Sequence, residues 1–234
     1  MKKNVVNKHN IVPLLCGLLF LLLFIVWTLL LKVIDVQPIG ADSTAVGFAT
    51  FNNWFHNLTN VNMTLYIITD WSGLVPVFVC AIFAVAGFIQ LVQRKSFFKV
   101  DPDIIILGMY YISVISIYLI FESVTINYRP ILINGFLEKS YPSSTTLLVL
   151  SVMPTLSFQA EIKLKNNKIK NILHFAVMIF SLFMVIGRLL SGVHWITDII
   201  GGILLSIGLF NTYKGTVLLY KNRRSEQYGF SRKT

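Results

Sequence analysis

The residues from Ile11 to Leu31 run for 21 positions without a charge. A helix of about 20 apolar residues matches the hydrocarbon core of a bilayer. In lipid every backbone N–H and C=O must be satisfied within the segment, so such a run can cross only as a helix. Five more apolar runs follow, at 71–92, 104–121, 143–160, 171–190 and 195–213. They predict a single all-α membrane domain, a bundle of six transmembrane helices. The first run exceeds the roughly 7–15-residue core of a signal peptide, and no small-residue cleavage site follows it directly. It is expected to stay as the first helix, with Pro13 in its first turn. Pro142 opens the fourth segment, and Pro154 is expected to kink it.

Composition agrees with this class. Of 234 residues, 55% are hydrophobic and 13% charged, and mean hydropathy is +0.71. The formal net charge is +10. In a soluble chain that balance would suggest nucleic acid, but no nucleic-acid-binding motif is present. The basic residues instead cluster between apolar runs, which marks topology and attraction to anionic lipid. Cys16 and Cys80 lie inside apolar segments and read as small buried hydrophobes.

Six spans place both termini on one side. Of the 20 Lys+Arg, only Lys32, Arg129, Lys139 and Arg188 fall on the other. The positive-inside rule therefore predicts cytoplasmic termini. Residues 33–70 become an extracytoplasmic connection. Within it, the apolar spacing of Thr44–Leu58 suits either a short amphipathic helix at the interface or a loop packed over the outer ends of the spans. Residues 220–234 form a basic cytoplasmic tail, expected to be poorly ordered. Short loops and the lack of an organelle signal fit a bacterial plasma membrane.

Parity then brings several polar residues to the outer level: Arg129, the turn Pro142-Ser143-Ser144-Thr145, and the stretch Gly187–Asp198 with Arg188, His194 and Asp198. Ionisable residues at a membrane boundary are costly to keep and mark functional sites. Two guanidinium groups suit a phosphoryl group. A turn opening a helix offers free N–H groups and the positive end of a helix dipole, although Ser143 could equally act as an N-cap. His194 and Asp198 are spaced i, i+4 and share a helix face. A carboxylate on one imidazole nitrogen fixes the tautomer and leaves the other as nucleophile or base. One His and one Asp are too few for a metal site.

These residues resemble the type 2 phosphatidic acid phosphatase family, whose pattern is K-x6-R-P, then P-S-G-H, then S-R-x5-H-x3-D on a six-helix membrane core. Here the pattern reads Arg129-Pro130, then Pro142-Ser143-Ser144-Thr145, then Arg188-x5-His194-x3-Asp198. The resemblance covers roughly Trp71 to Tyr213. It implies that His194 attacks phosphorus to form a phosphohistidine, with Asp198 orienting it. Arg129 and Arg188 would hold the phosphoryl oxygens, and Ser143 with the N–H groups of Ser144 and Thr145 would complete the cradle. No metal or cofactor is implied, and the substrate would be a phospholipid or a polyprenyl phosphate or pyrophosphate.

The chain departs from the pattern in four places. Glu122 stands where the family has lysine; it could serve as a helix-end carboxylate paired with Arg129. Gly187 replaces serine, and Ser144 replaces glycine. Thr145 replaces the histidine that protonates the leaving group, and threonine is far too weak an acid for that role. A lipid pyrophosphate expels a phosphate that hardly needs a proton, so the expected preference is for a polyprenyl pyrophosphate over a phosphate monoester. Competing readings are a phosphotransferase on the same site, a lipid-phosphate-binding relative with little or no turnover, and a transporter. The last is disfavoured because no ionisable chain runs through the spans.

Overall fold

The computed structural model describes residues 8–231. Lys2, Lys3, Arg232 and Lys233, counted in the charge argument, lie outside the described residues. Among the described residues the ordered elements are helices: α1 (Lys8–Leu30), α2 (Ala49–Thr59), α3 (Met63–Ser72), α4 (Leu74–Arg94), α5 (Pro102–Ser123), α6 (Ser144–Lys163), α7 (Asn167–Leu190) and α8 (Ile196–Ser231), with two short 3-10 turns. Six candidate spans result, and α3 and α4 together form the second, Met63–Arg94.

α6 and α8 form the middle of the bundle. Their cores are buried, whereas the outward faces of α1, α4, α5 and α7 carry exposed Leu, Ile, Val and Phe, as lipid-facing helices must. Lipid supplies little hydrophobic force between helices, so packing relies on small residues and on hydrogen bonds. A side chain on Gly208 would meet Leu21, and one on Gly215 would meet Leu14; these two glycines let α1 lie close along α8. Polar side chains tie the interior. Tyr110 donates to the Ser151 carbonyl at 2.9 Å, Tyr111 and Thr155 share a 2.6 Å hydrogen bond, and Gln159 donates to the Tyr213 hydroxyl at 2.8 Å.

The end of the bundle where α1 and α5 begin and α4 and α6 end is stapled by charge. Lys163 of α6 lies 2.9 Å from Asp103 and 3.3 Å from Asp101, and Arg94 of α4 lies 2.7 Å from Asp101. The Arg94 hydrogen bond, helped by Lys163, holds the Asp101 carboxyl below its usual range. The opposite end gathers the ends of α1, α5 and α7 and the starts of α3, α6 and α8.

One boundary moves. The connection expected over 33–70 is helical from Met63, so α3 belongs to the second span; its Leu65, Ile67 and Ile68 continue the apolar register of α4 across Gly73. Residues 220–231, the described part of the tail, continue α8. Pro154 lies inside α6, between Ser144 and Lys163.

Residues 44–58 do contain a helix, and it packs over the bundle end. The anchor of α2 is polar: Asn52 is fully buried, donates to the Gly47 carbonyl and to the Thr197 hydroxyl of α8, and accepts from the Thr197 N–H. Its Phe51, Trp54 and Leu58 stay exposed, so the helix keeps an apolar outer face as well.

Candidate active site

The link between α7 and α8 is a tight turn. Ser191 ends α7 by donating its N–H to the Gly187 carbonyl and its hydroxyl to the Arg188 carbonyl. Gly192 has φ +68, and a Cβ there would run into the Asn60 carbonyl, so only glycine fits comfortably. Asn62 donates its N–H to the Ser191 carbonyl. The segment after α2 therefore clasps the turn that presents His194.

His194 and Asp198 face each other as the i, i+4 spacing requires, with Nδ1 and Oδ2 3.7 Å apart. Asp198 is wholly buried. Its carboxylate accepts from the Trp195 N–H at 3.0 Å and from the Asn127 amide at 3.3 Å, and its backbone carbonyl accepts from the Ser143 N–H. Burial, and then the nearby Arg129 and Arg188, push the His194 pKa well below its usual value, against the pull of the Ser140 carbonyl. These surroundings favour the neutral imidazole over imidazolium.

The two arginines are brought together by α3. Tyr66 places its ring 4.8 Å from the Arg188 guanidinium and 5.8 Å from that of Arg129, a cation–π arrangement suited to charged groups held near lipid. Arg188 is 1% exposed. Its Nη1 lies 3.4 Å from the Thr69 hydroxyl and 3.5 Å from Asp70, whose carboxylate reaches solvent. Its Nε is buried with no hydrogen-bond partner. An unmet buried donor costs about 1–3 kcal/mol, and an incoming anion would relieve it.

Arg129 comes from the α5–α6 connection, which folds back as a short antiparallel ribbon. Arg129 donates its N–H to the Glu138 carbonyl and Ser140 donates to the Asn127 carbonyl. That register sets Asn127 opposite Ser140 and Arg129 opposite Glu138, all on one face. Arg129 Nε lies 3.0 Å from Glu138 Oε2. The pairing expected between Arg129 and Glu122 is therefore not made; Glu138 takes that place, and Glu122 stands exposed at the rim. The ribbon turns through Asn134-Gly135, both with positive φ, and the Ile133–Phe136 pair exchanges both hydrogen bonds across it. An Asn-Gly pair is the sequence signal for such a turn, and it was there to be read.

A cavity of about 510 Å³ opens at this level, lined by His194, Arg129, Glu138, Lys139, Ser140 and Ser144 among others. The α6 residues divide. Ser144 lines this cavity. Thr145 lines an adjoining groove of about 290 Å³ with Asp70 and apolar residues of α4 and α5. Ser143 is wholly buried behind both. Its side chain makes no capping bond and instead accepts from the Thr146 hydroxyl, so the expected capping role is not seen. The first N–H groups of α6 have no intrahelical acceptors, as at any helix start, and they belong to Ser144, Thr145 and Thr146. Sequence reasoning did not single out Tyr66, Thr69, Asp70, Asn127, Glu138, Lys139 or Ser140.

The profile of the PAP2 superfamily matches residues 73–221, nearly two thirds of the chain. No curated protein matches the sequence. Among solved structures, the fold is similar to a transmembrane PAP2-type phosphatidylglycerolphosphate phosphatase from Bacillus subtilis, with a TM-score of 0.59 and 16% identity over 86% of this chain and 95% of that one. At that identity the likeness speaks for the fold. The profile match covers the segments that carry Arg129, Arg188, His194 and Asp198, and this multi-pass membrane chain belongs to the PAP2 superfamily.

Proposed function

We propose that the chain is a membrane lipid phosphatase that works through a covalent phosphohistidine. The observation that carries the reading is the buried His194–Asp198 pair opening, beside Arg129, into one cavity. The neutral His194 attacks the terminal phosphorus of the substrate. The bond to the bridging oxygen breaks, and that oxygen leaves with the electron pair. Arg129, Arg188 and the Ser144 N–H hold the phosphoryl oxygens, where charge builds in the transition state. Water then attacks the phosphohistidine, the P–N bond breaks, and inorganic phosphate departs with His194 restored. The groove lined by Thr145 shares Tyr118, Ser144 and Leu147 with the cavity. A lipid chain in the groove would place its headgroup in the cavity.

The preferred substrate is a polyprenyl pyrophosphate. Thr145 stands where an acid would serve a monoester, whose alkoxide leaving group needs a proton. A pyrophosphate releases a lipid phosphate, already a stable anion. The charge asymmetry of the loops supports cytoplasmic termini and a site on the extracytoplasmic face, and the proposed location is the plasma membrane.

The test is phosphate release by purified protein from a polyprenyl pyrophosphate and from its monophosphate. Faster release from the pyrophosphate is expected, and Thr145→His should raise monophosphate turnover by about tenfold or more. Faster monophosphate cleavage by the unaltered protein would sink the substrate assignment. Silence on every lipid phosphate would favour the binding-only reading.

A further inference from the structure

Lys139 is a cation that the mechanism above does not use. It lines the same cavity as His194 and Arg129. Its Nζ lies 2.6 Å from the Glu122 carbonyl and 2.9 Å from the Ser123 carbonyl. Those are carbonyls of the last turn of α5, the negative end of a helix, where a cation is favoured. An ammonium group has three donors. Two are engaged on these carbonyls, which fix its position on the cavity wall and leave the third for a ligand. The neighbouring cavity groups are Arg129, already paired with Glu138, and Glu122 at the rim. A phosphoryl group held at His194 by Arg129 and Arg188 does not need Lys139. A second phosphate in the same cavity does.

We infer that Lys139 binds the inner, departing phosphate of a lipid pyrophosphate and so selects that class of substrate. The inference rests on the proposed phosphatase reading and deepens it. When the P–O bond breaks, the electron pair settles on the bridging oxygen of the departing lipid phosphate. A fixed ammonium beside that oxygen stabilises the added charge without giving up a proton. For a monoester the departing atom is an alkoxide with no second phosphate, and the same ammonium has less to hold. Glu122, by contrast, contributes its backbone carbonyl: the position keeps a cation in place although its own side chain is acidic.

Two arms test this. In the first, Lys139→Gln and Lys139→Arg are assayed on a polyprenyl pyrophosphate and its monophosphate. The ratio of kcat/KM between the two substrates should fall about tenfold in Lys139→Gln and be largely restored in Lys139→Arg, as expected for one charge-assisted contact. Equal losses on both substrates would mean that Lys139 only holds α5, and would overturn the inference. The second arm needs no turnover. In a His194→Ala background, inorganic pyrophosphate and orthophosphate are titrated into detergent-solubilised protein. Adding Lys139→Gln should weaken pyrophosphate about tenfold and orthophosphate much less. An unchanged pyrophosphate affinity would refute the role. If the unaltered protein hydrolyses no lipid phosphate, the phosphatase reading fails while this second arm still decides Lys139.

Discussion

His194 Nδ1 stands 3.7 Å from Asp198 Oδ2, and both side chains lie inside the protein. The carboxylate is not free to move: Trp195 and Asn127 hold its two oxygens. The 3.7 Å separation is longer than a hydrogen bond, and neither ring nitrogen has a partner in the structure. In the proposed mechanism the carboxylate takes the Nδ1 proton as its hydrogen-bond partner and leaves the lone pair of Nε2 free for attack.

Asp198→Asn should remove that control with little change in shape. The expected result is a loss of about 10²-fold or more in kcat with a far smaller change in KM, since the group acts through the nucleophile. Steady-state kinetics on a lipid pyrophosphate would measure it. A loss confined to KM would mean that Asp198 serves substrate binding instead.

Gly187, where the family pattern has serine, is explained by contact. A Cβ at this position would sit 2.6 Å from the Thr69 Cγ2, and Thr69 in turn holds Arg188. Gly187→Ala should push α3 off α7 and destabilise the protein by about 1–3 kcal/mol. Adding Thr69→Ser, which deletes the obstructing methyl but keeps the hydroxyl, should recover part of that loss. Thermal unfolding of the single and double variants checks this; no recovery would remove the steric account.

The depressed pKa of His194 makes a claim with a defined sign. Burial and two cations disfavour imidazolium, so the ring stays neutral as pH falls past the ordinary value of about 6.5. Carbethoxylation, which requires the neutral ring, should therefore proceed at His194 without loss of rate well below pH 6.5, when followed by peptide mass spectrometry. Inorganic phosphate should protect the residue. Half-loss of reactivity near pH 6.5 would show that the surrounding charges do not act as described.

Much of this was legible in the chain itself. The six spans are written in run length and apolarity, which lipid makes nearly decisive. Arg129, Arg188, His194 and Asp198 could be gathered by parity and spacing. What escaped was whatever depended on two segments meeting. Asp70 interrupts the apolar register just before Trp71, so the sequence places Met63–Asp70 in the polar connection, and with it Tyr66 and Thr69. Asp70 is tolerated because it lies beside Arg188 at the bundle end. Asn127, Glu138 and Ser140 matter only once 127–129 pairs with 138–140, and the Asn134-Gly135 turn that enforces the pairing lies between segments too short to register as strands. Thr145 is expected in the cradle through its backbone N–H, and the residue lines the adjoining groove; helix phase sets which space each residue of the first turn of α6 meets.

The proposed mechanism requires that His194 become covalently phosphorylated. A polyprenyl pyrophosphate carrying ³²P in its terminal phosphate, mixed with excess protein and quenched in alkali within one turnover, tests it directly. The account predicts an acid-labile, alkali-stable label on the peptide that contains His194, and neither label nor turnover in His194→Ala. Turnover that survives in His194→Ala would contradict it.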